Sequence, residues 1–444
     1  MYLAVCDIFP TFAPSEPIYI FVMSTILYKA IAAACSLYFL TTTPLRAQTF
    51  DEWFCDSTLR LDYIFAGDNR QQHIFLQQTQ KAPLWAGRKS RLAEAPLRGN
   101  GQLRLTDHQT GRLLYVHTFS TLFQEWQATE EATRMERAFE TSYMVPLPRR
   151  TVDITVTLTN FHDSVVGRLT HTLDPTDMLI RQAGVATVPY HYIWQGDSLL
   201  NLTRCIDLAI VAEGYTAGET DKFHRDCQRA VNALFAHEPF STLKNRFNIV
   251  AVTPLSTDSG PSIPRRGHWS RTPAATHYDT FYSARYLMTE RMHRLYDLLT
   301  GIPFEHVIVM VNSSLYGGGG IYNQLLVTTS DHPTFSQVLV HEFGHSYAGL
   351  ADEYEYGNDP EPMYPADTEP WEPNLTTKVD FQQKWADMLP DPTGRLGLFE
   401  GGGYQTKGVW RPSLDCRMKT NESPDFCPVC SRAIRHITDF YTGE

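Results

Sequence analysis

Residues 151–158 alternate apolar and polar side chains, with Val152, Ile154, Val156 and Leu158 on one side. That period of two predicts a strand with one face on a core. Leu103-Arg104-Leu105, alternating apolar and charged, and the apolar run 113–116 flank a polar segment ending in Gly111, which predicts a hairpin. From residue 48 to 194 the chain reads as β-rich, and the expectation is an antiparallel β-sandwich serving as an accessory domain.

The pattern then changes. Residues 205–212 form a near-continuous apolar run, predicting a strand buried on both faces. Phe223, Cys227, Val231 and Leu234 recur at helical spacing,. A strand at 247–252, a helix near 282–299 and a strand at 307–311 follow. Alternating strand and helix predict an α/β domain with a mainly parallel sheet over residues 195–444. The fold class expected is therefore a two-domain α+β chain.

The amino-terminal region adds an address. Lys29 precedes an apolar run, 30–40, and then Leu45-Arg46-Ala47-Gln48. This order is that of a secretory signal peptide, and the run is too short to span a bilayer comfortably. Cleavage is expected after Ala47, with Met23 as the start and residues 1–22 an extension. An alternative is acylation of Cys35 after Ala34. The mature chain is expected to be exported, with no stable membrane span. Six of the eight cysteines lie beyond residue 47 (Cys55, Cys205, Cys227, Cys416, Cys427 and Cys430), an even number that permits disulfides outside the cytosol. The net charge of −11 argues against a nucleic-acid partner, whose phosphates call for a basic face.

The strongest chemical signal is His341-Glu342-Phe343-Gly344-His345. Residues four apart share a helix face, so both imidazoles can reach one ion, and zinc is the expected one. Glu342 adjoins that face and is placed to accept a proton from water as general base. Thr334 or Ser336 is a candidate cap for the helix start. A catalytic site of this kind needs a third protein ligand. Gly349 can take a positive φ and turn the chain back, which makes Asp352 the first choice of metal ligand and Glu353 its rival.

A glycine three residues before the third ligand resembles the metzincin arrangement, although Gly349 comes four rather than three residues after the second histidine. Metzincins also carry a methionine beneath the metal, and Met418 is the candidate here. The longer run 341–354 resembles the bacterial "IgA peptidase" metallopeptidase family. So do Ala212-Glu213-Gly214-Tyr215, the Tyr316 and glycine 317–320 loop, and Trp410-Arg411-Pro412-Ser413. The β-rich front half is similar to the domain usually fused to that family. The resemblance implies a metzincin-like zincin domain and a zinc metalloendopeptidase acting on protein or peptide substrates. It also implies a secreted, periplasmic or cell-surface bacterial location.

The glycines at 317–320 are followed by no Lys-Ser/Thr, so they do not form a nucleotide loop. They are expected either to form a turn or to let substrate approach an edge strand. Cys427-Pro428-Val429-Cys430, with Cys416 near in sequence, is expected to form a local disulfide bracing the Met418 turn; a redox pair or half of a structural zinc site are the alternatives, disfavoured by the position at the end of the domain and by the lack of a second Cys-x-x-Cys. Tyr354 and Tyr356 are candidates to stabilise an oxyanion. The competing reading is a catalytically weak surface-binding module on a peptidase scaffold, against which the intact Glu342 speaks.

Overall fold

The computed structural model describes residues 49–197, 204–356 and 363–443. The expected signal peptide and its alternatives, residues 1–47, lie outside the described residues. Among the described residues no helix is long and apolar enough to cross a membrane.

The front half folds into two four-stranded sheets. One has the order β5-β1-β2-β8, from β1 (Phe54–Gly67), β2 (Gln72–Pro83), β5 (Arg137–Pro148) and β8 (Arg181–Gln182). The other has the order β4-β3-β6-β7, from β3 (Gly101–Asp107), β4 (Leu113–Phe119), β6 (Val152–Thr159) and β7 (Val165–Leu173). Strands β3 and β4 form the expected hairpin. In β6 the alternation is visible directly, since Val152, Ile154, Val156 and Leu158 are buried and their neighbours are not. The sheets meet through aromatic side chains: Phe119 of β4 stacks on Tyr143 of β5 with ring centroids 4.2 Å apart.

The second module is built on a six-stranded sheet, order β13-β14-β12-β10-β11-β9. Its inner strands β10 (Ile206–Glu213), β11 (Phe247–Val252), β12 (His306–Val311) and β14 (Leu325–Thr329) run parallel. The outer strands β9 (Tyr190–Trp194) and β13 (Gly318–Ile321) are antiparallel to their neighbours. Because β9 precedes residue 195, this sheet begins upstream of the expected domain boundary. β10 is buried throughout, and its two faces serve different cores. Ala209 and Val211 join a hydrophobic cluster that continues into the front sandwich. Ile206, Leu208 and Ile210 pack against helices. The two modules therefore share one continuous apolar layer, and residues from Thr49 onward form one compact unit.

The longer helices of this module are α1 (Thr220–Phe235), α2 (Met292–Leu298), α3 (Phe335–Ala348) and α4 (Pro428–Thr442). The helix expected near 282–299 is shorter than its periodicity suggested. Asp279, Phe281 and Tyr282 adopt positive φ, and residues 286 and 288 make isolated β-bridges to Gly318 and His277. Only the last part of the pattern is helical. Glu213, in the Ala-Glu-Gly-Tyr segment, is a structural clamp: its buried carboxylate accepts from the Ala274 and Thr276 amides and the Thr272 hydroxyl.

Candidate active site

Helix α3 carries His341, Glu342 and His345. Its buried face (Leu339, Val340, Phe343 and Tyr347) packs into the helical core, leaving the histidines turned to a cleft. Thr334 occupies the N-cap position without capping; its hydroxyl is engaged by His332 instead. Gly349 ends the helix with φ +58°, the left-handed conformation glycine adopts at no steric cost.

The reversal brings Asp352 to the histidines. Nε2 of His341 and Nε2 of His345 lie 3.0 Å apart. Oδ1 of Asp352 is 3.0 Å from the first and 3.2 Å from the second. Each imidazole also bonds a backbone carbonyl through Nδ1, His341 to Arg417 at 2.9 Å and His345 to Leu350 at 2.5 Å. A carbonyl can only accept, so both Nδ1 atoms carry the proton and both Nε2 atoms of the neutral rings present a lone pair. Oδ1 of Asp352 is buried and receives no hydrogen bond. Three electron pairs thus converge with no hydrogen between them, an arrangement that a divalent cation would satisfy and that suits zinc's nitrogen and oxygen ligands. When no ion is bound, the same convergence draws a proton instead: burial disfavours protonation of His345, yet Asp352 outweighs it and raises the ring to about 10. Against its own burial penalty, Asp352 is held well below the ordinary carboxylate range by the two histidines.

Glu353, the rival ligand, faces away. Its side chain, fully buried, lies behind the site against Cys430, with Oε1 3.1 Å from Sγ. Asn374 braces Glu353 and the residue before Asp352. It accepts from the Ala351 amide, donates to the Ala351 carbonyl and donates to Glu353. Tyr404 donates to Oδ2 of Asp352 at 2.5 Å. Nothing local in the sequence marked Asn374 or Tyr404, which return to the site from far along the chain.

Met418 lies beneath α3. It is fully buried, and a Cβ at Gly344 would come within 2.7 Å of its sulfur. Its carbonyl accepts from the Glu353 amide. The glycines at 317–320 are not a turn; 318–320 belong to edge strand β13, pressed against α3. A Cβ at Gly320 would sit 2.5 Å from the Glu342 carbonyl oxygen. The expected local disulfide is absent: Cys416, Cys427 and Cys430 are free thiols.

The site opens into a cleft of about 970 Å³. Strand β13, Tyr354 and Tyr356 line it, and so do Arg98, Glu125 and Asn160 of the front sandwich. The accessory module is therefore a wall of the cleft, which its sequence did not reveal. Glu125 accepts from Tyr286, and burial raises its carboxyl to about 7. Burial likewise raises the Glu342 carboxyl, against the pull of the two histidines.

Comparison with known proteins agrees with this architecture. The family model described as IgA Peptidase M64 matches residues 200–394 and 390–438. The model described as Peptidase M64 N-terminus matches residues 49–170. No curated protein sequence matches the chain. The cleft between the modules thus lies in a chain that belongs to the IgA peptidase M64 family of metallopeptidases.

Proposed function

We propose that the protein is a secreted zinc metalloendopeptidase with His341, His345 and Asp352 as metal ligands and Glu342 as general base. The observation that carries this reading is the convergence of His341 Nε2, His345 Nε2 and Asp352 Oδ1 within 3.2 Å. Zinc, when bound, supplies Lewis acidity toward the scissile carbonyl and makes a water proton easier to remove. Glu342 takes that proton as the water attacks and passes it to the leaving amine nitrogen. Its raised affinity for protons suits both halves of the transfer.

The cleft favours an extended peptide. β13 is the outer strand of its sheet and lines the cleft beside Glu342, so a substrate backbone can add to it by main-chain hydrogen bonds. That arrangement supports a metzincin-like reading of the domain, with Met418 as the floor. Tyr354 and Tyr356 border the same space and are the candidates for oxyanion stabilisation. A protein that only bound surfaces would have no use for a carboxylate poised beside two imidazoles.

Replacing Glu342 with Gln is the test. Digestion of casein and immunoglobulin A should fall by about 10²-fold to 10⁴-fold or more, with bound zinc retained. Undiminished digestion by Glu342→Gln would remove the carboxylate from the mechanism.

A further inference from the structure

Behind the candidate active site lies a second convergence of ligating atoms. Cys416, Cys427, Cys430 and Glu353 each offer one atom, and all four atoms lie within 4.8 Å of one another. All four residues are buried, at 0–2% exposure. We propose that these residues hold a second metal ion, a structural zinc, distinct from the one at His341 and His345.

The geometry suits a tetrahedral thiolate-rich site. Zinc–sulfur bonds of about 2.3 Å place two sulfurs about 3.8 Å apart at tetrahedral angles; Sγ of Cys416 and Sγ of Cys430 are 3.7 Å apart. Backbone amides are aimed at two of the three sulfurs. Cys427 is the N-cap of α4, and its sulfur accepts from the Cys430 amide at 3.5 Å. The Cys427 amide in turn donates to Sγ of Cys416 at 3.2 Å. Amide donors and a helix amino-terminus both favour thiolate.

Glu353 points independently to a cation. Its Oε1 accepts from Asn374 at 3.0 Å, but its Oε2 is buried with no hydrogen-bond partner. An unsatisfied carboxylate oxygen in the interior is costly, and a metal bond relieves it. Disulfide formation cannot do so. Three thiols form at most one disulfide, which leaves one thiol and the carboxylate unresolved. Three thiolates with one carboxylate match zinc's ligand preferences, and the thiols release their protons to solvent as the ion binds.

Such an ion would tie two segments together immediately behind the reaction site. Residue 416 precedes Arg417, whose carbonyl orients His341, and Met418, the floor of α3. Glu353 directly follows Asp352. The second ion thereby acts as a positioning element for the first.

The test is metal analysis of the purified full chain without added chelator or reductant. Wild type should carry two zinc ions, and His345→Ala should keep one. In His345→Ala loaded with cobalt, an intense near-ultraviolet thiolate-to-cobalt charge-transfer band should appear and should be lost in His345→Ala/Cys430→Ser. If Cys430→Ser does not fold, wild-type protein keeps the question open to decision. Cys416, Cys427 and Cys430 should resist alkylation until the metal is removed, and then all three should react. A cobalt-loaded His345→Ala protein lacking the thiolate band would overturn the proposal. So would a disulfide among the three cysteines, or iron or copper in the cluster. The wild-type count depends on the first site, but the His345→Ala count, the thiolate band and the alkylation do not, so failure of the peptidase reading would leave those three results unchanged.

Discussion

Tyr404 donates its phenolic hydrogen to Oδ2 of Asp352, leaving Oδ1 to face the two imidazoles. One carboxylate is thereby divided between a fixed anchor and an oxygen that faces the two imidazoles. Outer hydrogen bonds of this kind orient ligands and tune their basicity. Tyr404→Phe should therefore weaken zinc binding by about 10-fold to 100-fold, measured by competition with a chromophoric chelator. Unchanged affinity would show that the anchor is dispensable.

Gly320 lies where β13 touches the backbone of α3. A methyl group there would stand 2.5 Å from the Glu342 carbonyl oxygen, and main chain cannot step aside as a long side chain can. Gly320→Ala should cost about 1–3 kcal/mol of stability, as overpacking does. Thermal denaturation checks this, and peptide KM should rise if β13 holds substrate.

Glu125 predicts a pH dependence. Its carboxyl is raised to about 7 from 4.5 by burial, so the folded state holds this proton more tightly than the unfolded chain does. The associated stability is fully present below about pH 4.5 and is lost as pH rises towards 7. At about 1.4 kcal/mol per unit, the loss is on the order of a few kcal/mol before solvent screening. Glu125→Gln keeps the acceptor for Tyr286 and removes the titration. The variant should melt at a higher temperature than wild type at pH 8 and show a flatter profile between pH 4.5 and 7. Parallel profiles for the two proteins would refute this.

Much of this fold is legible along the chain because its signals are local. The period of two in β6, the apolar run of β10 and the helical spacing in α1 and α3 each report burial by immediate neighbours. His341, Glu342 and His345 are legible for the same reason, since one helical turn fixes their relation. The choice between Asp352 and Glu353 is not local. Adjacent residues leaving a helix point to opposite sides, and which side meets the histidines depends on Asn374 and the turn at 403–404. Sequence proximity suggested a disulfide for Cys416, Cys427 and Cys430, but it could not show Glu353 joining them. The helix expected near 282–299 misled because its apolar residues pack against the sheet from an irregular chain with positive φ at 281 and 282. Glu125 and Arg98 were invisible as cleft residues because only tertiary packing carries the front sandwich to that edge.

Crystals of the zinc-loaded protein, with anomalous data collected on both sides of the zinc absorption edge, test the central claim most directly. An anomalous peak should lie about 2.0–2.2 Å from His341 Nε2, His345 Nε2 and Asp352 Oδ1 together. Zinc-loaded crystals with no peak among these three atoms, or with the two imidazoles turned to separate partners, would contradict it.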